Sequence, residues 1–336
     1  MIRDKLDRPI RDLRVSVTDR CDFRCTYCMP LVKYEWLRRE EILSFEEITR
    51  IVGQFARLGV EKVRLTGGEP LLRTGVEDLV RQIAGIDGIR DVALTTNASR
   101  LARLAAPLRD AGLTRLNVSL DTLDPEKFKR ITQRDELDTV LEGIEAARAA
   151  GLGPIKINTV VERGVNEDDV LSMVDYCREH GHSLRFIEYM DVGNANEWRF
   201  DRVVPAREIV AKIRETYELE EIERERPSDT ALRYRFAGDG SDLGIIASVS
   251  RPFCTNCSRA RLTAEGKLVT CLFSNHGVDL KAPLREGATD DEMHERIAGI
   301  WQARTDRFSE ERLAAIRSNR YDPSERRKIE MITLGG

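Results

Sequence analysis

From the N-terminus to about residue 220, short apolar runs alternate with amphipathic stretches in a regular rhythm. The runs "DLRVSVTD", "VEKVRLTGGEP", "DVALTTN", "LTRLNVSLD", "IKINTVV" and "LRFIEYM" read as strands. Between them, "SFEEITRIVGQFARLG", "LARLAAPLRDAG" and "TVLEGIEAARAAG" carry apolar residues at helical spacing. Several of these helices are expected to begin after Ser, Thr or Asn and to stop at Gly. Six successive βα units predict parallel strands with right-handed crossovers, in either an open doubly wound sheet or a barrel. No GxGxxG follows the first strand, and Gly151-Leu152-Gly153 runs into Pro154, which disfavours a dinucleotide-binding fold.

Polar residues at the strand ends favour the barrel. Thr66-Gly67-Gly68-Glu69-Pro70, Thr95-Thr96-Asn97, Ser119-Leu120-Asp121, Asn158 and Glu188-Tyr189-Met190 all fall at C-terminal ends of predicted strands. Any one of them alone would pass for a turn, but in phase they converge on one mouth. Six units rather than eight predict an α/β fold of the incomplete (βα)6 TIM type, with an open side. After residue 220, "TALRYRFAG", "DLGIIASVS" and "RARLTAEGKLVTCLF" read as short antiparallel strands, and helical patterns return from about Asp290 to Ser318. The expected division is residues 1–220 for the partial barrel and 221–336 for a C-terminal region covering its opening.

Charge narrows the partners. The net charge of the 336 residues is −4, so nothing global suggests nucleic acid or an anionic membrane. Any anion site must be a local cluster of basic side chains. The start, "MIRDKLDRPIRDLR", is too charged for a signal peptide and no apolar run approaches a membrane span, so the expected location is the cytoplasm. Monomer and homodimer both remain open.

The seven cysteines fall as Cys21, Cys25, Cys28; Cys177; and Cys254, Cys257, Cys271, which is no disulfide framework. Cys177 follows Val170, Met173 and Val174 at the spacing of one helix face and is expected to be a small core residue. Cys-x3-Cys-x2-Cys is an unusual spacing for structural zinc, and no histidine lies within a hundred residues of it. A four-iron cluster normally takes four thiolates, so three leave one iron open to a small molecule. For Cys254, Cys257 and Cys271, zinc closed by His276 competes with a second cluster of the same kind. Arg259 and Arg261 alternate along a predicted strand beside it and would point to one face, as an anion clamp or as a solvated face.

CxxxCxxC with Tyr27 before its last cysteine, after the first strand of a βα barrel, resembles radical S-adenosylmethionine enzymes. Gly67-Gly68-Glu69-Pro70 resembles their GGEP motif, which contacts the methionine amino group. The resemblance implies an open iron that chelates S-adenosylmethionine, and a reduced cluster that cleaves it to a 5′-deoxyadenosyl radical. Two three-cysteine sites, the R-x-R after the second and the terminal Gly335-Gly336 resemble, over essentially the whole chain, the GTP 3′,8-cyclase family of molybdenum cofactor biosynthesis.

That resemblance implies hydrogen abstraction at ribose C3′ of GTP, attack of the carbon radical on guanine C8, and reduction to 3′,8-cyclo-7,8-dihydro-GTP. It implies two [4Fe-4S] clusters, on Cys21, Cys25 and Cys28 and on Cys254, Cys257 and Cys271, the second holding the guanine edge. S-adenosylmethionine would meet Tyr27, Gly68, Ser119 and Met190. GTP would meet Arg14, Arg64, Thr95, Lys156, Arg259 and Arg261, with Arg185 a further candidate. Arg14, Arg259 and Arg261 would take part in catalysis. The implied partners are a flavodoxin- or ferredoxin-type electron donor and, by pathway, a downstream pyranopterin synthase. Asp22 stands where the family commonly has Asn, Ala98 where it has Gly, and "LVKYEWLRRE" is short for it. Weighed against this are a peptide-modifying radical enzyme with an auxiliary cluster and a non-catalytic zinc-binding protein.

Overall fold

The structure is a computed structural model that describes residues 2–31, 33–194, 196–323 and 328–335. Six βα units open it, in the order β1 (Asp12–Ser16), α1 (Phe45–Arg57), β2 (Lys62–Thr66), α2 (Val76–Ala84), β3 (Asp91–Thr96), α3 (Leu101–Asp110), β4 (Arg115–Ser119), α4 (Pro125–Thr132), α5 (Leu137–Ala149), β5 (Lys156–Val161), α6 (Val170–Glu179), β6 (Ser183–Glu188) and α7 (Ala206–Arg214). The chain continues through β7 (Leu219–Ile222), β8 (Leu232–Phe236), β9 (Asp242–Ile246), β10 (Arg259–Leu262), β11 (Lys267–Val269) and β12 (Val278–Asp279). It ends with α8 (Lys281–Arg285), α9 (Asp290–Gln302), α10 (Phe308–Arg317) and α11 (Met331–Leu334). No helix among the described residues is long and apolar enough to cross a membrane.

Period-two alternation gives each barrel strand two faces. Leu13, Val63, Val92, Leu116, Ile157 and Leu184 are buried in the layer that receives the helices. Their neighbours Arg14, Arg64 and Thr95 stand on the other face, toward the interior of the curved sheet. Ile48, Ile51, Val52 and Phe55 bury one stripe of α1. A reciprocal cap starts that helix: Ser44 Oγ accepts from Glu47 N at 3.1 Å and Glu47 Oε2 accepts from Ser44 N at 2.7 Å.

Capping does not start every helix. α3 and α5 follow Arg100 and Glu136 with no side-chain cap. Their first residues, Leu101 and Leu137, are buried instead, and the two helices pack together, so tertiary contact sets where they begin. The expected glycines, Gly59, Gly112 and Gly151, do follow α1, α3 and α5.

Among the described residues, 12 strands form one open sheet in the order β12-β11-β10-β1-β2-β3-β4-β5-β6-β9-β8-β7. The late strands make the antiparallel pairs β8–β9 and β10–β11, which the expected short antiparallel strands cover, and β7–β8 and β11–β12, which they do not. They also do something local pattern does not encode. β10 pairs parallel with β1 and β9 pairs parallel with β6, so the C-terminal region extends the barrel sheet at both edges. β7 spans the expected division at residue 220.

Cys177 is 1% exposed within the main core, beside Met173 and Val174. Cys177→Ala should therefore cost about 1–2 kcal/mol in denaturant unfolding, roughly one buried methylene-sized group with its cavity. Iron and sulfide content should stay at the wild-type level, and a fall in either would give Cys177 a part in cluster binding.

Candidate active site

The loop after β1 is held on both sides by backbone. Gly68 N donates to Thr18 O and Glu69 N to Arg20 O, each at 2.7 Å, while Arg24 N and Thr26 N donate to Thr132 O and Ile131 O, each at 2.9 Å. Cys28 N donates to Cys25 O at 2.9 Å, closing the turn that presents Cys25, Tyr27 and Cys28. A Cβ on Gly68 would lie 2.2 Å from Arg20 O, and one on Gly67 would lie 2.4 Å from Thr18 O. Glycine is needed there because two backbones touch, whatever ligand approaches from the other side.

Buried carboxylates organise this half of the site. Glu69 accepts from Thr96 Oγ1 at 2.7 Å, Asn97 N at 2.7 Å and Leu71 N at 2.9 Å. Burial pushes its pKa up to about 7 against those hydrogen bonds. Asn97 Nδ2 and Ser99 Oγ each donate to Asp22 at 2.8 Å, with Arg100 at 3.6 Å. Ala98, at φ 65°, sits in the turn that presents Asn97 and Ser99 to Asp22, so the Asp22 and Ala98 positions belong to one contact. Tyr27 donates to Asp121 at 2.8 Å, and burial pushes the Asp121 pKa up to about 6. Burial raises the thiols of Cys21, Cys25 and Cys28, Cys28 to about 12, so any metal that binds here must displace protons.

The second triplet is built differently. Cys257 Sγ accepts from Arg259 and Arg304, each at 3.3 Å, and although burial opposes it, these guanidiniums bring the thiol down to about 5. Burial lifts Cys271 to about 11. Arg304 also donates to Cys257 O at 2.8 Å, and Arg8 donates to Cys254 O at 2.8 Å. Asp4 joins the two arginines, at 2.6 Å from Arg8 and 3.5 Å from Arg304. The N-terminal segment and the loop after α9 therefore hold the second cysteine set. Among the described residues, no three His, Cys, Asp or Glu side chains converge as a site for a single ion. His276 is exposed and bonded to Asn275.

Between the two triplets lies a row of cations. Strand register sets Arg261, Arg14 and Arg64 side by side on β10, β1 and β2. Burial, followed by repulsion from Arg261, Arg64 and Arg259, lowers Arg14 well below the usual range, and burial brings Arg64 and Arg261 to about 10. Lys156 falls to about 7 through burial and the nearby Arg185, Arg115, Arg64 and Lys62. Arg259 Nε, Arg261 Nε and Thr95 Oγ1 are buried with no hydrogen-bond partner among the described residues. Buried polar atoms left without a partner beside several like charges are costly and fit an anion that enters from outside.

All the expected residues meet in one cavity of about 840 Å³: both cysteine triplets, Tyr27, Gly68, Ser119 and Met190, and Arg14, Arg64, Thr95, Lys156, Arg185, Arg259 and Arg261. Gly335 lies at its edge, where a Cβ would be 2.2 Å from Thr66. Gly336 lies outside the described residues. Sequence reasoning missed Arg8, Lys62 and Arg304, and marked Asp121 only as a polar strand-end residue. Lys62 carried a signal, being two residues before Arg64 on the same strand face, whereas Arg8 and Arg304 carried none.

The fit to iron–sulfur clusters rests on that geometry: thiols in two groups of three, both open to one cavity, with an unpaired anion site between them. Residues 15–177 match the family model of the Radical SAM superfamily, and residues 182–310 match that of Molybdenum Cofactor Synthesis C. The chain is 48% identical to the GTP 3′,8-cyclase of Acidothermus cellulolyticus over 358 positions, covering 100% of this chain and 99% of the relative. It is 44% identical to the GTP 3′,8-cyclase of Staphylococcus aureus strain JH9 over 341 positions, with the same coverage. Among solved structures it resembles Streptococcus suis SuiB bound to S-adenosylmethionine, at TM-score 0.63 and 16% identity, covering 92% of this chain and 68% of that one. This last likeness shows the fold alone. With the full-length relatives it leads to one conclusion: the chain belongs to the GTP 3′,8-cyclase family of radical S-adenosylmethionine enzymes, which use two [4Fe-4S] clusters in the first step of molybdenum cofactor biosynthesis.

Proposed function

We propose the following division of labour among the side chains that carry out the GTP 3′,8-cyclase reaction. Cys21, Cys25 and Cys28 hold the cluster that binds S-adenosylmethionine, and Cys254, Cys257 and Cys271 hold the one that receives GTP. When bound, the first cluster supplies the electron that cleaves S-adenosylmethionine. The observation that carries the proposal is that both triplets and the arginine row line a single cavity.

Tyr27, fixed by its hydrogen bond to Asp121, and Gly68, Ser119 and Met190 border the S-adenosylmethionine end. Arg14, Arg64, Arg259 and Arg261 grip the triphosphate and ribose, so that C3′ faces the S-adenosylmethionine end and the guanine lies toward the second triplet. Lys156 and Arg185, with Lys62 on the same wall, carry the far end of the phosphate chain. Several cations from different strands thus do what a glycine-rich phosphate loop does elsewhere. The electron donor is of flavodoxin or ferredoxin type, and the product passes to an enzyme that rearranges it to a pyranopterin. Seven free cysteines suit a reducing, cytoplasmic setting.

Anaerobic incubation with GTP, S-adenosylmethionine and a strong reductant should yield 5′-deoxyadenosine and a cyclised nucleotide. Unchanged GTP with no 5′-deoxyadenosine would sink the proposal. Arg259→Ala and Arg261→Ala should each weaken GTP binding at least tenfold, in line with loss of a charge-assisted contact of about 1.5–3 kcal/mol, while slow S-adenosylmethionine cleavage persists. Equal GTP affinity in both variants would place these arginines outside the substrate site.

Lys156 makes binding depend on pH. In the free protein its pKa is about 7, so at pH 8 it is mostly neutral. A triphosphate beside it favours the charged form and raises that pKa, so binding takes up a proton. GTP affinity should accordingly be greatest below pH 7 and fall above it, by up to roughly tenfold per pH unit until the bound-state pKa is reached. Calorimetry in buffers of different ionisation enthalpy measures the proton uptake, and Lys156→Gln should abolish this component.

A further inference from the structure

Outside the cavity wall, a buried carboxylate with three side-chain donors belongs to Asp191, one residue beyond Met190 in the loop after β6. One of its oxygens accepts from Arg312 on α10, the other from the Tyr321 hydroxyl and from Lys328 Nζ at 2.9 Å. Lys328 Nζ also donates to the Asp191 carbonyl at 2.7 Å. Arg312 spans onward to Ser248 O at 2.6 Å and stacks over Phe273, two residues from Cys271. Asp191, Arg312 and Lys328 are all nearly inaccessible to solvent.

Lys328 begins the last described stretch of chain. Asn194, three residues after Asp191, accepts from Lys328 N at 2.8 Å and donates to Lys328 O at 2.7 Å and to Glu330 at 2.6 Å. Ile329 N donates to Ser274 O at 3.1 Å. Past these ties, Met331 and Ile332 enter the cavity wall, Leu334 is buried, and Gly335 turns at φ 71° against Thr66. None of these anchors is a proposed cysteine ligand or GTP contact.

We propose that Asp191 is a positioning residue: its buried carboxylate latches residues 328–335 across the barrel mouth and ties their placement to the β6 loop that carries Met190. The geometry supports this through the double attachment of Lys328, to the carboxylate and carbonyl of Asp191. Removing the carboxylate leaves two buried cations facing each other with no anion between them, and the segment is the part free to move away. The functional consequence rests on the site assignment above. A displaced segment opens the mouth beside Thr66, so S-adenosylmethionine cleavage becomes less tightly coupled to cyclisation.

Hydrogen–deuterium exchange on the anaerobically reconstituted holoenzyme, without substrates, tests the latch. In Asp191→Asn, and independently in Lys328→Met, residues 329–335 should exchange at least tenfold faster than in wild type, with β1 to β6 unchanged. If Asp191→Asn does not fold, Lys328→Met decides, because it leaves Asp191 paired with Arg312 and Tyr321. In turnover, Asp191→Asn should raise the ratio of 5′-deoxyadenosine to cyclised product several-fold. In a chain truncated before Lys328 the same substitution should add nothing, since the two changes act through one element. Unchanged exchange of the segment in the variants that fold, or a further rise in the ratio in the truncated chain, overturns the latch. Absence of cyclised product from wild type would count against the site assignment alone, and exchange would still decide the latch.

Discussion

Strand β1 has a parallel neighbour on each side, and the register of those two pairings sets where the chemistry sits. Leu13 lies level with Val63 and Ala260 in the helix-facing layer, while Arg14 lies level with Arg64 and Arg261 on the inner face. A slip of one residue between β1 and β10 would send Arg259 and Arg261 among the buried leucines and draw Ala260 into the cavity. The burial of Leu13, Val63, Ala260 and Leu262 therefore enforces the placement of the cations. The same pairing puts Cys257, just before β10, near the start of β1, with the first cysteine loop at its other end.

Holding that row together has a price in electrostatics. Like charges about 5 Å apart, the spacing of neighbouring strands, repel by roughly 3 kcal/mol at an effective dielectric of about 20. The lowered pKa values of Arg14, Arg64, Arg261 and Lys156 express burial first and this repulsion second. Carboxylates do lie at the rim, where Lys62 is flanked by Asp12 and Asp91, but the deeper cations are left to an incoming anion. The strong core around the sheet makes such an arrangement tolerable, and under the proposed site assignment a triphosphate relieves it on binding. Affinity for the substrate is in this sense stored in the folded protein.

The two cysteine sites differ in what surrounds them. Carboxylates and apolar side chains border the first, and its thiols are all raised. Guanidiniums border the second, with Arg259 and Arg304 on Cys257. Negative surroundings favour a more oxidised cluster and positive surroundings a more reduced one, so the fold gives the two sites unlike electrostatic settings within one cavity. The segments that make the second setting come from both ends of the chain, Asp4 and Arg8 from the start and Arg304 from beyond α9.

By itself the amino-acid sequence determined the βα rhythm, the division of cysteines into two triplets and one core residue, the glycine pair at the end of β2, and the polar strand ends. All of these are local: spacing along the chain decides them, because strand and helix periods place side chains on faces without help from distant residues. Even the paired arginines of β10 were legible as residues of one face. Only the tertiary structure decided what that face opposes. β9 and β10 could have remained a separate antiparallel layer, and their parallel docking on β6 and β1 depends on matching buried surfaces far apart in the chain. Arg8, Arg304 and the Asp191 contacts were invisible for the same reason. A single charged residue in a loop carries no periodic signal, and its role is set by which buried groups would otherwise lack a partner.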